Sequence, residues 1–244
     1  MKNILKIMLM MITIYTIAGS AVYAAEIPVS DQDQLITSRD WTEISNLQDE
    51  MKKEEPDATI DYDKALKVYV DCNLIKLQTA DTKKLTSALE SANYVWVIPF
   101  KMEKTYGMFT VAKGLPLSEE AKSVLTKAEQ EEVKNHAGKW MITETAEHTV
   151  EPYYDILLEK REALSDCTRV VLVGSQPGMR QPVALGMDDE TARIWISLGY
   201  QYPVMEKIPE TQNVESGVYS FDSVAEISDT YICLLYTSPS PRDA

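Results

Sequence analysis

Histidine and cysteine are scarce in this sequence, which removes most of the usual catalytic and metal-binding arrangements. Its 244 residues include two histidines and three cysteines. His136 and His148 do not form an H-x-x-x-H pair, so a zinc site would need ligands from distant positions. A cysteine-histidine pairing is disfavoured because Asp71 precedes Cys72, and an acidic neighbour raises the pKa of a thiol. We expect no metal and no cofactor, and we assign no catalytic residue.

Phosphate-binding and calcium-binding loops are missing as well. The sequence has only nine glycines, and the stretch 174–178 (GSQPG) lacks the lysine of a phosphate loop and the frame of a nucleophile elbow. Its Pro-Gly pair is typical of a type II turn. Acidic pairs such as Asp31 and Asp33 do not continue into a twelve-residue calcium loop, so we interpret them as solvated surface. The sequence leans away from an enzyme.

The one long apolar run lies at the amino end. Lys2 and Lys6 are followed by an apolar stretch over 7–18, and Val22 and Ala24 supply an aliphatic and a small residue at −3 and −1. The run is short for a membrane span of about 20 residues. We therefore predict a signal peptide over 1–24, cleaved after Ala24, and a secreted or cell-surface protein. An uncleaved membrane anchor is the alternative.

The carboxyl end has an unusual composition. Residues 233–244 (CLLYTSPSPRDA) resemble the translation of a transposase-type sequencing adaptor, and the resemblance covers all twelve positions. It implies that the reading frame left the native gene near Ile232, so that the chain is a truncated fragment. Without this tail the cysteines are Cys72 and Cys167, an even count that allows one disulfide in an exported chain. Two buried free thiols are the alternative.

Positive charge is in short supply. There are 24 Lys and Arg against 38 Asp and Glu, for a net charge of −14. Removing 1–24 and 233–244 leaves 21 basic and 37 acidic residues, a net charge of −16. Such a surface repels phosphate backbones and anionic lipid headgroups. We expect no nucleic-acid partner and no membrane contact beyond the export signal.

Four stretches have helical periodicity. The third stretch follows Ser118. It is expected to form a helix that buries one face between Ala121 and Ala128, including Val124 and Leu125, and that ends at Gly138. The four helices are expected to start near the cap signals Ser38, Asp81, Ser118 and Pro152.

Eight stretches have the composition or alternation of strands. Short turns join several of them, and because parallel strands need long crossovers, antiparallel pairing follows. We predict an α+β fold over 25–198, an antiparallel sheet packed by about four helices, with two related helix-plus-curved-sheet units over 56–147 and 148–198 as an option. Residues 199–232 are interpreted as a polar linker or the start of a truncated region. The predicted strands cover 65–71, 94–100, 107–112, 139–145, 168–174, 182–187, 192–198 and 218–221.

One predicted strand carries a ladder of aromatic side chains on one face. Tyr94, Trp96 and Phe100 could stack on sugar rings or anchor a peptide if the face were exposed. Val95 and Val97 on the other face are also apolar, which favours a strand covered on both sides. The three aromatic residues are therefore weak candidates for a binding surface.

Together these features favour an exported, non-enzymatic module of a bacterial extracellular or cell-surface protein, one that binds an unknown protein or glycan or acts as an accessory region. A carbohydrate-binding or cell-wall-binding module that uses the aromatic side chains is one alternative. A non-catalytic fragment of a truncated secreted enzyme is another.

Overall fold

The computed structural model describes residues 27–148, 151–174, 176, 179, 181–199, 205–208 and 213–228. The predicted signal peptide (1–24) and the adaptor-like tail (233–244) lie outside these residues. Within the described ranges, no helix combines the length and the apolar character needed to cross a membrane.

Ten strands of the described residues form one sheet. In chain order they are β1 (Thr59–Ile60), β2 (Leu66–Val70), β3 (Asn93–Lys101), β4 (Tyr106–Lys113), β5 (Trp140–His148), β6 (Arg169–Val173), β7 (Val183–Met187), β8 (Ala192–Ser197), β9 (Asn213–Glu215) and β10 (Val218–Ser220). Nine of them follow the spatial order β5-β4-β3-β2-β6-β7-β8-β10-β9, and β1 pairs with β3 beside this path. The predicted mixed class with a mostly antiparallel sheet is confirmed.

One pairing departs from the antiparallel pattern. β2 and β6 run parallel, with Val68 opposite Leu172 and Tyr69 opposite Val173. This pairing joins two antiparallel halves of the sheet, one built from β1 to β5 and the other from β6 to β10. The optional relationship between units 56–147 and 148–198 stays a prediction.

The helices number about six, so the predicted total of four is not confirmed. They are α1 (Trp41–Ile44), α2 (Gln48–Glu54), α3 (Thr82–Ser91), α4 (Glu119–Val124), α5 (Lys127–His136) and α6 (Tyr153–Glu159), and a further helical segment covers 221–228.

The third predicted helix is in fact two helices, α4 and α5. Thr126 interrupts it by forming a capping box, in which its hydroxyl accepts from the Glu129 amide while the Glu129 carboxylate accepts from the Thr126 amide at 2.7 Å. A cap needs an extended backbone at its own position, so the helix restarts there. The prediction of a buried face is wrong, since neither helix contains a buried residue and Val124 is 79 % exposed.

The stretch 199–232, interpreted as a polar linker or the start of a truncated region, contains secondary structure in its described part. β9 and β10 extend the sheet beyond β8, and the segment 221–228 packs on it. Val218, Tyr219, Phe221 and Val224 are buried in the core. Tyr219, Phe221 and Val224 belong to the same cluster as Trp195 of β8, so the core of the sheet includes residues beyond 198.

Apolar side chains cover both faces of the sheet. Residues directly opposite one another in paired strands project from the same face. We call the face that carries Lys67, Tyr69, Tyr94 and Trp96 the front face, since Lys67 pairs with Trp96 and Tyr69 with Tyr94. The opposite, back face carries a cluster around Val68.

The front face is covered in two separate patches. Over the β6–β8 half, α3 contributes Leu85 to a cluster that surrounds Trp195. Over the β3–β4 half, α1 and α2 contribute Ile44 and Met51 to a cluster around Phe109. The polar residues of β2 lie between these two clusters.

Candidate functional site

A cavity of about 410 Å³ opens on the front face between the two apolar clusters. Its walls come from the amino-terminal segment, from β2 and β3, and from the end of α3. The lining residues that matter for the site are Asp31, Thr37, Ser38, Arg39, Asp40, Lys67, Tyr69, Glu90 and Tyr94. The buried residues Asp40 and Lys67 form its inner wall. A second buried carboxylate, Asp33, does not line the cavity but contacts Lys67 and Tyr69, which do.

Asp33 is the first of the buried carboxylates, at 2 % exposure. A 3₁₀ turn over Asp31–Asp33 positions it, and the Ser30 hydroxyl donates to Oδ2 at 2.6 Å. The Tyr69 hydroxyl donates to Oδ1 at 2.7 Å, and Arg169 Nη2 donates to Oδ2 at 2.9 Å. These charge-assisted bonds compensate the loss of water around a buried anion.

Asp40 is the second buried carboxylate, and its Oδ2 accepts two bonds from the aromatic strand. The Tyr94 hydroxyl donates at 2.8 Å and Trp96 Nε1 donates at 3.1 Å. Arg39 Nε lies 3.9 Å from Oδ1, with a largely exposed side chain. Burial, followed by the bond to Asp40, raises the pKa of Tyr94 above its ordinary value, so Tyr94 stays a hydrogen-bond donor.

Lys67 lies between these two carboxylates and is 9 % exposed. Its Nζ lies 4.6 Å from the centre of the Tyr94 ring, 5.2 Å from that of Trp96 and 5.7 Å from that of Tyr69. These distances fit cation–π contacts. Burial lowers the pKa of Lys67, and the nearby Asp33 carboxylate opposes that shift.

The ammonium of Lys67 has unused hydrogen-bonding capacity. Its closest anionic atom is Asp33 Oδ1 at 3.7 Å, beyond hydrogen-bond distance. Across the part of the chain that the structure describes, Lys67 Nζ has no hydrogen-bond acceptor. An ammonium group carries three donors. A buried cation that borders a cavity in this state is suited to bind a ligand that brings acceptors.

The three aromatic residues singled out in the sequence do not form one surface. Trp96 and Phe100 are buried, at 0 % and 1 % exposure, and pack in the β3–β4 cluster. Tyr94 is half-buried and lines the cavity. The ladder as a whole therefore cannot be a stacking platform, and Tyr94 alone belongs to the candidate site.

Cys72 and Cys167 are buried free thiols, so the disulfide that the sequence allowed is not formed. Cys72 belongs to the front-face cluster and Cys167 to the back-face cluster, on opposite sides of the sheet. Burial raises the pKa of each thiol to about 11, and Asp71 and Asp166 respectively act in the same direction. Neither environment activates a nucleophile.

The histidines do not join the site. His136 is the last residue of α5, and His148 is the last residue of β5, with a side chain outside the described set. Searching the described residues for groups of three or more His, Cys, Asp or Glu able to hold a metal ion gives none.

Sequence reasoning missed most of the residues that build this site. Asp33 entered only as half of an acidic surface pair, and neither Asp40 nor Arg169 was considered. One signal was available: Lys67 and Tyr69 share a face of a strand whose other face is Leu66, Val68 and Val70. A lysine between apolar strand residues is unusual enough to flag.

Comparison of the chain with protein-family models, with curated proteins and with solved structures gives no match. The functional conclusion therefore rests on the geometry of the site.

Proposed function

We propose that this chain is an exported, non-enzymatic binding module of a bacterial extracellular or cell-surface protein, and that the cavity beside Lys67 is its ligand site. One observation carries the proposal. Lys67 is nine-tenths buried, its ammonium borders a cavity of about 410 Å³, and none of the described residues accepts a hydrogen bond from it. The Asp33 carboxylate and three aromatic rings hold the ammonium in place. A ligand oxygen that enters the cavity would therefore gain a charge-assisted hydrogen bond from a preorganised donor.

The two buried carboxylates near Lys67 support binding over proton transfer. The carboxylate oxygens of Asp33 and Asp40 already accept bonds from Tyr69, Arg169, Tyr94 and Trp96. These bonds fix both carboxylates as positioning groups around Lys67. A rigid, preorganised wall lowers the entropy cost of binding a ligand.

The size and lining of the cavity define the class of ligand. Its volume lies in the lower part of the range for small-molecule sites, roughly 300–1,000 Å³. Thr37 and Ser38 line it together with Asp31 and Glu90. The ligand is therefore small and polar, with at least one hydroxyl, carbonyl or carboxylate oxygen that accepts from Lys67.

A carbohydrate ligand is the second candidate. Hydroxyl groups can donate to carboxylates such as Glu90 and accept from Lys67, and the Tyr94 ring offers an apolar wall. This version of the carbohydrate hypothesis uses one tyrosine in a polar cavity and does not need the buried Trp96 and Phe100.

The test compares Lys67→Met with Lys101→Met, which removes a more exposed lysine whose Nζ lies 5.8 Å from the centre of the Tyr106 ring. Monosaccharides, free amino acids, small dicarboxylates and cell-wall polysaccharide are screened by thermal shift, and hits are measured by calorimetry. We expect a hit that binds the wild type and Lys101→Met equally and binds Lys67→Met at least about tenfold more weakly. Equal binding to all three proteins, or no hit in the panel, would contradict the proposal, provided that Lys67→Met still unfolds cooperatively.

A further inference from the structure

The sheet ends at β5, a nine-residue strand that is paired on one side only. β5 follows β4 through eight aligned positions, from Tyr106 opposite His148 to Lys113 opposite Trp140. Among the strands that the structure describes, none pairs with its other side. An edge of this length presents backbone N–H and C=O groups to any extended chain beside it.

An apolar groove lies next to this edge on the back face. It measures about 700 Å³ and is bounded by α4 and α5, which with the loop before them we call the α4–α5 arm (residues 114–138). Its apolar lining includes Leu117, Ala121, Leu125, Val133 and Met141. Met141 comes from β5 itself, so the groove and the edge are continuous.

The α4–α5 arm is amphipathic without being buried. Two of its side chains, Leu115 at 59 % and Val124 at 79 %, are the most exposed large apolar residues of the described chain. Helices usually gain stability from packing an apolar face against a partner. Val124 lies outside the groove, but the apolar side chains that line the groove are also only partly buried. Contiguous exposed apolar surface of this kind marks an interaction surface.

Charge around the groove selects among peptide partners. Glu129 and Glu132 line it, and Glu144, on the same face of β5 as Met141, is exposed. Lys113 is the one lysine or arginine of the lining, and its Nζ lies 5.5 Å from the centre of the Trp140 ring. The acidic excess matches a partner that carries lysine or arginine beside its apolar residues.

We propose that β5 and the adjoining groove bind an extended peptide of another protein as an eleventh strand. The peptide alternates apolar and polar residues and has basic residues at its ends. Main-chain bonds to β5 give affinity, and every second side chain enters the groove beside Met141 and Leu125. This surface is distinct from the Lys67 cavity, which opens on the front face.

The test uses the full chain and a fluorescent nine-residue peptide of alternating valine and threonine with a lysine at each end. We expect saturable binding by fluorescence anisotropy, with amide exchange slowed in β5 when the peptide is bound. A peptide with the same composition but its valines contiguous, and one with glutamates at both ends, should each bind at least about fivefold more weakly.

Matched variants locate the site. Leu125→Asp changes the groove, and Val124→Asp changes the exposed residue before it, which is the last residue of α4. Neither residue is buried, so both variants should fold. We expect Leu125→Asp to weaken binding at least about tenfold and Val124→Asp to leave it within about twofold.

A second matched pair tests charge. Glu132→Lys reverses a charge in the groove lining, whereas Glu131→Lys reverses one that pairs with Lys134 on the arm surface. Only Glu132→Lys should weaken binding of the lysine-ended peptide at low salt. Equal effects within either pair, equal binding of all three peptides, or self-association of the chain through β5 in sedimentation would overturn the proposal.

Discussion

Arg169 donates a hydrogen bond from Nη2 to Asp33 Oδ2 over 2.9 Å, and 136 residues of sequence separate the two. Arg169 opens β6, and Asp33 ends the 3₁₀ turn of the amino-terminal segment. The bond therefore ties the start of the chain to the second half of the sheet, close to the parallel pairing of β2 with β6. Since Asp33 is 2 % exposed, water screens this interaction little.

Asp33→Ala should destabilise the protein strongly. The substitution leaves Arg169 and Lys67 without their common anion, and removing one partner of a buried pair costs about 3–5 kcal/mol. Asp31→Ala is the matched control, because Asp31 belongs to the same turn but is exposed. Urea unfolding measures the free energy of unfolding of both variants. A difference between the two variants under about 0.5 kcal/mol would contradict the account of the site.

Trp96→Ala should also destabilise the fold severely. The indole is fully buried, its Nε1 donates to Asp40, and its ring lies 6.3 Å from that of Tyr94 in an edge-on arrangement. Truncating a buried tryptophan costs about 3–5 kcal/mol. Trp41→Ala, which removes a half-buried indole, should cost clearly less in the same unfolding experiment. If the Trp96→Ala protein were as stable as the wild type, Trp96 would not be a core residue and would again be a candidate for a binding surface.

Strands were the part of the fold best predicted from sequence. Alternation of side-chain type, as in Lys67 and Tyr69 of β2, and the turn signals around each run predicted most of the strands. The predicted ends lie within a few residues of the observed ones. β1 and β9 were missed, and β1 has only two residues, too few to show a period of two. The parallel pairing of β2 with β6 was missed because local pattern does not say which distant strands meet.

The site and the helix packing were harder to predict, for two physical reasons. A buried Asp33 has the same local sequence signature as a solvated aspartate, and only the arrival of Tyr69 and Arg169 from elsewhere makes its burial tolerable. Amphipathicity on the α4–α5 arm predicts an apolar face but not whether the same chain covers it. Val124 shows the difference, since it fits the helical pattern and is exposed.

Gly107→Ala should destabilise the β3–β4 pair. A Cβ at this position would lie 2.1 Å from Phe100 Cζ, and Phe100 is buried with no room to rotate away cheaply. Overpacking of this kind costs about 1–3 kcal/mol. At Gly174 a Cβ would meet its nearest atom at 3.6 Å, an ordinary contact, so Gly174→Ala should be neutral or slightly stabilising. Thermal unfolding compares the two variants. Equal melting temperatures would contradict the close contact between Gly107 and the Phe100 ring.

Alkaline pH should destabilise the protein through its buried thiols. Burial raises the pKa of Cys72 and of Cys167 to about 11 in the folded chain, from an ordinary value of 9.0. Between these values the unfolded chain binds fewer protons than the folded one, so the free energy of unfolding falls as pH rises. At about 1.4 kcal/mol per unit of pKa, each thiol contributes a loss of about 2–3 kcal/mol by about pH 11. Tyr153, whose pKa burial raises to about 12, adds to the loss above its ordinary value of 10.0.

Lys67 acts in the opposite direction, because burial lowers its pKa below the ordinary 10.5 and the unfolded chain then binds more protons than the folded one. The thiol contribution is isolated by comparing the wild type with Cys72→Ala/Cys167→Ala in urea at about pH 8 and about pH 10. The double variant starts less stable because two buried side chains are shortened. It should nevertheless lose less stability over this interval, since Lys67 and the tyrosines are common to both proteins. The same loss in both proteins would show that the two thiols are not buried as described.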